Sequence, residues 1–211
     1  MEEEENIRIG DRVPNFLYST TKGDIILHQF LGNFWGLILC SPSSFEPVFL
    51  SEILECMRLE HELEDRHVRV CALTIEKLEN QKLFLQDVEG LVGKQPFFPL
   101  LEDPEAHIAS LFGLVKKNPT ASDSCPEDTE YSTVRGIFIV GPDKKVKAVM
   151  QYPLRVGASF HEILRCIDSL QLKETKNVDT PANWVRGQAV LAPRALRRFG
   201  AGGGGGGGGK E

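Results

Sequence analysis

The chain is 211 residues long, with 41% hydrophobic and 26% charged residues, an ordinary composition for one α/β domain with an appendage. Its net charge of −6 argues against nucleic acid or an anionic membrane as the main partner. No apolar run approaches the ~20 residues of a membrane span.

The N-terminus, Met1-Glu2-Glu3-Glu4-Glu5, is acidic, and no apolar core follows it. It therefore reads as neither a secretory signal nor an Arg-rich transit peptide. Five cysteines, Cys40, Cys56, Cys71, Cys125 and Cys166, include no CxxC spacing. An odd number, set mostly in apolar or helical contexts, fits a reduced chain of cytoplasmic type.

Residues 1–6 read as a disordered acidic tail. Ile7–Phe16 reads as an edge segment, because Pro14 has no N–H to give a central ladder. Phe16–Thr20 and Ile25–His28, around a turn at Lys22-Gly23-Asp24, predict a β-hairpin. Gln29–Asn33 is expected to be a short turn. Trp35–Cys40 is an apolar run and predicts a buried strand. It is followed by the turn Ser41-Pro42-Ser43-Ser44. Pro47 then stands where proline is best tolerated, just inside a helix start. Phe49, Ile53, Cys56 and Met57 recur on one face of that helix, expected to run to about Arg66.

Val68–Thr74 is a second fully apolar strand, suited to a parallel sheet covered on both faces. Leu78–Val88 predicts an amphipathic helix and Phe97–Leu101 a short strand. Pro104–Phe112 predicts a helix stopped by Gly113. Lys116–Tyr131 is polar and reads as a surface loop. Val134–Val140 is a third apolar strand, and a turn at Gly141-Pro142-Asp143-Lys144 leads into Lys147–Tyr152. Ser159–Leu170 predicts a helix whose apolar face includes Phe160, Ile163, Leu164 and Ile167. Asp179–Val190 reads as an extended arm. Gly202–Gly209 has no side chains to bury and the largest ordering entropy, so it is expected to be disordered. The order of elements predicts a thioredoxin-like α/β fold: a central mixed sheet flanked by helices, with a short C-terminal arm. The expected boundaries are a tail over 1–6, the domain over 7–172, the arm over 173–193 and a Gly-rich tail over 194–211.

A loop between a strand's C-terminal end and a helix start is where α/β proteins place chemistry, since free N–H groups and the helix dipole favour an anion there. Here that loop leads to Phe49, which has no reactive atom. Around it stand Gly10-Asp11, Val13-Pro14-Asn15-Phe16, Phe30-Leu31-Gly32, Trp35-Gly36, Pro42, Phe45, Pro47-Val48, Glu52, Arg135, Gly141–Lys145, Tyr152-Pro153 and Phe160–Arg165. With these motifs, and Thr180–Trp184 in the arm, the chain resembles the peroxiredoxins over about residues 7–190, most closely the one-cysteine, peroxiredoxin-6 type. The resemblance implies a thiol peroxidase, with no cofactor, whose cysteine attacks a peroxide from the first turn of the helix.

Residue by residue, the resemblance matches Pro42 and Pro47-Val48 to the family motif. The peroxide-positioning hydroxyl falls on Glu46 and the peroxidatic cysteine on Phe49. Ser41 replaces the subfamily's histidine. Arg135 matches the active-site arginine and Glu52 its partner, while Ala158 takes the place of a second arginine, with Arg155 three positions earlier. Glu46 brings like charge to the place of a thiolate and is expected to satisfy the helix N-terminus itself. The pair Arg135–Glu52 reads either as residual anion binding or as a structural ion pair. Cys40, at the strand end, is the alternative thiol; the plainer reading is a buried core cysteine with raised pKa.

The phospholipase serine of the subfamily falls on Phe34, in Gly32-Asn33-Phe34-Trp35-Gly36, with His28 and Asp143 matching its partners. A histidine–aspartate pair without a nucleophile does not acylate. His61, His67 and His107 lack metal-ligand spacing. The expected partner is a second copy of the chain, with a thiol protein or the glutathione system added if a cysteine is active.

Overall fold

The computed structural model describes residues 6–117 and 131–192. The expected tails over 1–6 and 194–211, apart from Asn6, and the middle of the expected loop at 116–131 lie outside the described residues. Two compact units divide the chain, 1–160 and 161–211.

In the first unit, a hairpin of β1 (Leu17–Tyr18) and β2 (Ile25–Ile26) leads into α1 (Leu27–Leu31). The expected turn at Gln29 is thus largely a short helix, closed by Gly32 at φ 52°. Then come β3 (Trp35–Ser41), α2 (Pro47–Arg58), α3 (Glu60–Asp65), β4 (Val68–Thr74), α4 (Leu78–Val92) and β5 (Leu100–Glu102). The single helix expected to reach Arg66 is broken at Leu59, which has φ −93° and ψ 18° and is itself buried. The break lets both Met57 and Leu63 enter the core.

The helix expected from Pro104 is shorter, α5 (His107–Leu111), because Asp103 takes the amides of Ile108 and Ala109 at its start. A two-stranded ribbon, β6 (Val115–Lys117) with β7 (Tyr131–Thr133), stands at the ends of the expected loop. The unit closes with β8 (Arg135–Val140) and β9 (Val146–Tyr152).

The main sheet has the order β5-β4-β3-β8-β9. The first three strands run parallel, and β8 is antiparallel to β3 and to β9. This is the predicted mixed sheet. Every residue of β3 and β8 is buried, which is why Trp35–Cys40 and Gly136–Val140 read as apolar runs rather than alternating ones. One face, carrying Ile38, Cys40, Cys71, Leu73, Phe138 and Val140, joins a cluster with Leu27 and Leu31 of α1 and with Phe112 after α5. The opposite face carries Leu37, Leu39, Ile137 and Arg135, by the alternation of a strand. Helix α2 lies on that face, since its Glu52 bonds Arg135. Helix α4 lies beside α2 through the Phe49–Phe84 ring contact. A Cβ at Gly136 would stand 2.5 Å from Leu114 Cδ2 and 3.0 Å from Phe138 Cε2, so the glycine leaves room for those side chains to pack on the sheet.

In the second unit, α6 (Phe160–Lys176) runs a turn and a half past the expected Leu170. The arm beyond it closes on itself through the backbone pair Asp179–Leu191. Trp184 is buried, with its Nε1–H donating to Gln188 O at 3.1 Å.

Candidate active site

The bend between β3 and α2 is built from its serines. Ser41 Oγ donates to Ser43 O at 3.0 Å. Ser43 Oγ and the Ser44 amide donate to the two carboxylate oxygens of Glu76, at 2.7 and 2.9 Å. Behind them Gln81 donates to Thr74 Oγ1 and to Leu101 O, both at 2.8 Å. Sequence reasoning missed Glu76. It lies 32 residues from Ser44, and a lone glutamate after a strand carries no local signal.

Helix α2 then starts at Pro47 with Glu46 as its N-cap residue. The Glu46 side chain makes no capping hydrogen bond, which corrects the expectation that its carboxylate satisfies the helix end. With φ −64° and ψ 123° Glu46 is extended, and Glu76 holds the bend instead. Phe49 stands in the first turn, 0% exposed. Its ring stacks on Phe84 at a centroid distance of 6.3 Å and 27° between planes, and Phe84 meets Phe45 edge to face at 5.8 Å. The first turn is thus filled by an aromatic contact.

One helical turn on, Glu52 and Arg135 form a buried ion pair, Nη1 to Oε1 at 2.8 Å, with 5% and 2% exposure. Glu52 Oε1 also accepts the Ala158 amide at 2.9 Å, and Arg135 Nη2 donates to Val156 O. Among the described residues Arg135 Nε, which is buried, has no acceptor. Burial pushes the Glu52 carboxyl up from its ordinary pKa, and the Ala158 N–H and Arg135 offset only part of that. Arg155 is exposed, and among the described residues no ion pair joins it to Glu52.

Cys40 does not face the Arg135–Glu52 pair. Cys40 is in register with Gly136, and cross-strand partners share a face, so Cys40 and Arg135 project from opposite sides of the sheet. The thiol is 4% exposed and borders a small cavity with Ser41, Pro42, Leu73 and Ala109. Burial, then Cys71 and Asp103, push its pKa well up. Cys56 is likewise raised by burial, and Cys71 is pushed up to about 12. In the native chain these three thiols are expected to react with Ellman's reagent at pH 8 at least about a hundredfold more slowly than an ordinary thiol, since the burial that raises each pKa leaves little thiolate. Peptide mapping after a timed alkylation checks this; rapid labelling of Cys40 would show that its surroundings open.

The residues matched to the phospholipase set are each engaged with other partners. His28 Nε2 lies 2.8 Å from Val13 O, while Asp143 pairs with Lys147 at 3.0 Å. Phe34 is elsewhere engaged, its ring 4.2 Å beneath the Arg69 guanidinium. Among the described residues no three His, Cys, Asp or Glu side chains are grouped to hold a metal, and no helix is long and apolar enough to cross a membrane.

Comparison with known proteins agrees with this architecture. Residues 9–149 match the AhpC/TSA family, and residues 169–196 match the C-terminal domain of 1-Cys peroxiredoxin. Peroxiredoxin-6 of Mus musculus is 37% identical over 192 residues, covering 89% of this chain and 84% of that protein. Peroxiredoxin-6 of Homo sapiens is 36% identical over 187 residues, covering 87% and 81%. Among solved structures, a Cys-to-Ser mutant of the peroxiredoxin 6 of Arenicola marina superposes with a TM-score of 0.79 at 36% identity, covering 89% of this chain and 84% of that one. A yeast mitochondrial 1-Cys peroxiredoxin, described with a thiol resolving mechanism via glutathione/thioredoxin systems, gives 0.80 at 32%, covering 89% and 87%. The chain belongs to the peroxiredoxins, in the 1-Cys, peroxiredoxin-6-like branch of the AhpC/TSA family.

Proposed function

We propose that this peroxiredoxin-6-like protein has lost thiol peroxidase chemistry at the usual place and acts as a binding scaffold. The observation that carries the reading is Phe49. A fully buried ring, stacked on Phe84, fills the first turn of α2, where the family needs a thiolate to attack the peroxide oxygen, break the O–O bond and become a sulfenic acid. Arg135 and Glu52 are then a structural pair. Phe34 at the serine position removes the phospholipase nucleophile in the same way. The scaffold is a homodimer in this reading, and β9, the outer strand of the main sheet, bonded to the N-terminal segment only at Val146 among the described residues, offers the rest of its edge to a second copy.

A second reading keeps a thiol-dependent peroxidase in cell redox homeostasis, using Cys40, with a thiol protein or glutathione returning it to the thiol. The cavity beside Cys40 favours it; the raised pKa opposes it. A peroxide-consumption assay with a thiol reductant separates the two. Wild type is expected to match a protein-free blank, while Phe49→Cys gains a sulfenic acid detectable by a dimedone probe. Wild-type turnover that disappears in Cys40→Ser would overturn the first reading and establish the second.

A further inference from the structure

The shortness of β5 leaves a gap in the fold. It pairs with β4 only from Ala72 onward, in the register Ala72–Leu100 to Thr74–Glu102. The edge of β4 before Ala72 therefore has no strand on that side. A cavity of about 380 Å³ opens there, walled by Phe30, Phe34, Phe97, Phe98 and Pro99, with Arg69 among them. That size suits a small molecule, for which pockets run from about 300 to 1,000 Å³.

The walls are aromatic and the polar part is cationic. Phe97 and Phe98 meet edge to face at 5.0 Å and 87°. The Arg69 guanidinium carbon lies 4.2 Å from the Phe34 ring centroid and 5.9 Å from that of Phe30, and Nη1 donates to Phe30 O. Ring faces and one carbonyl hold the guanidinium in place, yet an arginine carries five N–H donors. Among the described residues no carboxylate pairs with it. Glu64, at the rim, is directed to His61 at 3.6 Å and is 65% exposed. His67, also at the rim, stands edge-on to Phe34 at 6.2 Å.

A stacked arginine by itself is common and needs no ligand. A stacked arginine without an anion, inside a cavity of small-molecule size with four phenylalanines, is a built half-site. We infer that this cavity binds a small aromatic carboxylate, its ring between the phenylalanine walls and its carboxylate on the Arg69 guanidinium. Flat rings complete the edge-to-face arrangement of the walls. The fixed guanidinium fork matches a carboxylate in two parallel hydrogen bonds. The inference does not depend on the reading of Phe49, which lies on α2 and does not line this cavity.

Calorimetric titration of the full chain with 2-naphthoate, 2-naphthalenemethanol and decanoate tests it. The expected result is that naphthoate binds about tenfold or more tightly than the neutral alcohol and than decanoate, as a charge-assisted pair combined with ring stacking requires. Arg69→Gln is expected to remove that advantage over the alcohol, and amide shifts on naphthoate addition should centre on Phe34, Arg69 and Phe97. Equal affinity for naphthoate and the alcohol would overturn the proposal. So would tighter binding of decanoate, shifts centred elsewhere, or no heat at millimolar naphthoate. The comparison of ligands needs no variant, so it stands even if Arg69→Gln fails to fold. Phe97→Ala, which removes one wall, should weaken both ring compounds, and unchanged affinity there would also count against the site.

Discussion

Replacement of Arg135 by leucine is expected to lower the stability of the chain by about 3–5 kcal/mol, the cost of leaving a buried charge without its partner. Glu52 is 5% exposed, and the Ala158 amide would be its only remaining contact of the two that favour its charge. The loss depends on pH with a definite sign. In the wild type the Glu52 carboxyl is already raised by burial. Its favourable contribution is therefore complete below the ordinary carboxylate range and is lost as the pH rises through the folded-state value. Without Arg135 the folded-state value climbs further, so the variant keeps Glu52 neutral to higher pH than the wild type does and bears the full penalty only when it is ionised. Urea denaturation should thus show a smaller gap between variant and wild type at pH 5 than at pH 8. An equal gap at both would show that the arginine matters through packing alone. Adding Glu52→Gln to Arg135→Leu is expected to recover part of the loss, because the stranded charge is gone.

Phe49→Ala should destabilise by a similar amount, about 3–5 kcal/mol, through lost transfer free energy and the cavity left behind. The ring is fully buried against Phe84, which is itself buried and touches Phe45. Phe49→Leu, which keeps most of the volume, should cost much less. The urea midpoints of the two variants measure the difference. A small loss for alanine would mean that the start of α2 settles into the gap, and that the ring is an incidental occupant of this position. A large loss would mean that the first turn now depends on the aromatic side chain for its packing.

Much of the architecture was legible in the chain because the central strands are buried on both faces. Trp35–Cys40 and Val68–Thr74 each read as mainly apolar runs, and both are strands at almost the expected bounds. Short and interrupted elements were not legible. The five residues of α1 are too few to display a helical period. The break at Leu59 falls inside a periodic stretch, where Leu59 and Leu63 are both buried, and the period alone did not show it. The ribbon of β6 and β7 is polar and looked like loop. At the site, the resemblance identified Phe49, Glu52 and Arg135, and the fold brings the latter two into contact. The direction of Cys40 could not be read, since the side of a strand that a residue occupies acquires meaning only once the register with β8 is known. Arg69 gave no signal either: its partners Phe30 and Phe34 lie on a different segment.

The tie from Glu76 to Ser43 and Ser44 has a bearing on motion. Backbone amides in a bend usually swap their protons for solvent deuterium quickly, because nothing intramolecular shields them. The Ser44 amide is shielded by a carboxylate that belongs to the junction of β4 and α4. Its exchange therefore keeps time with the parting of that junction rather than with fraying of α2, and the loop acts as a clock for an opening that happens in the neighbouring segment.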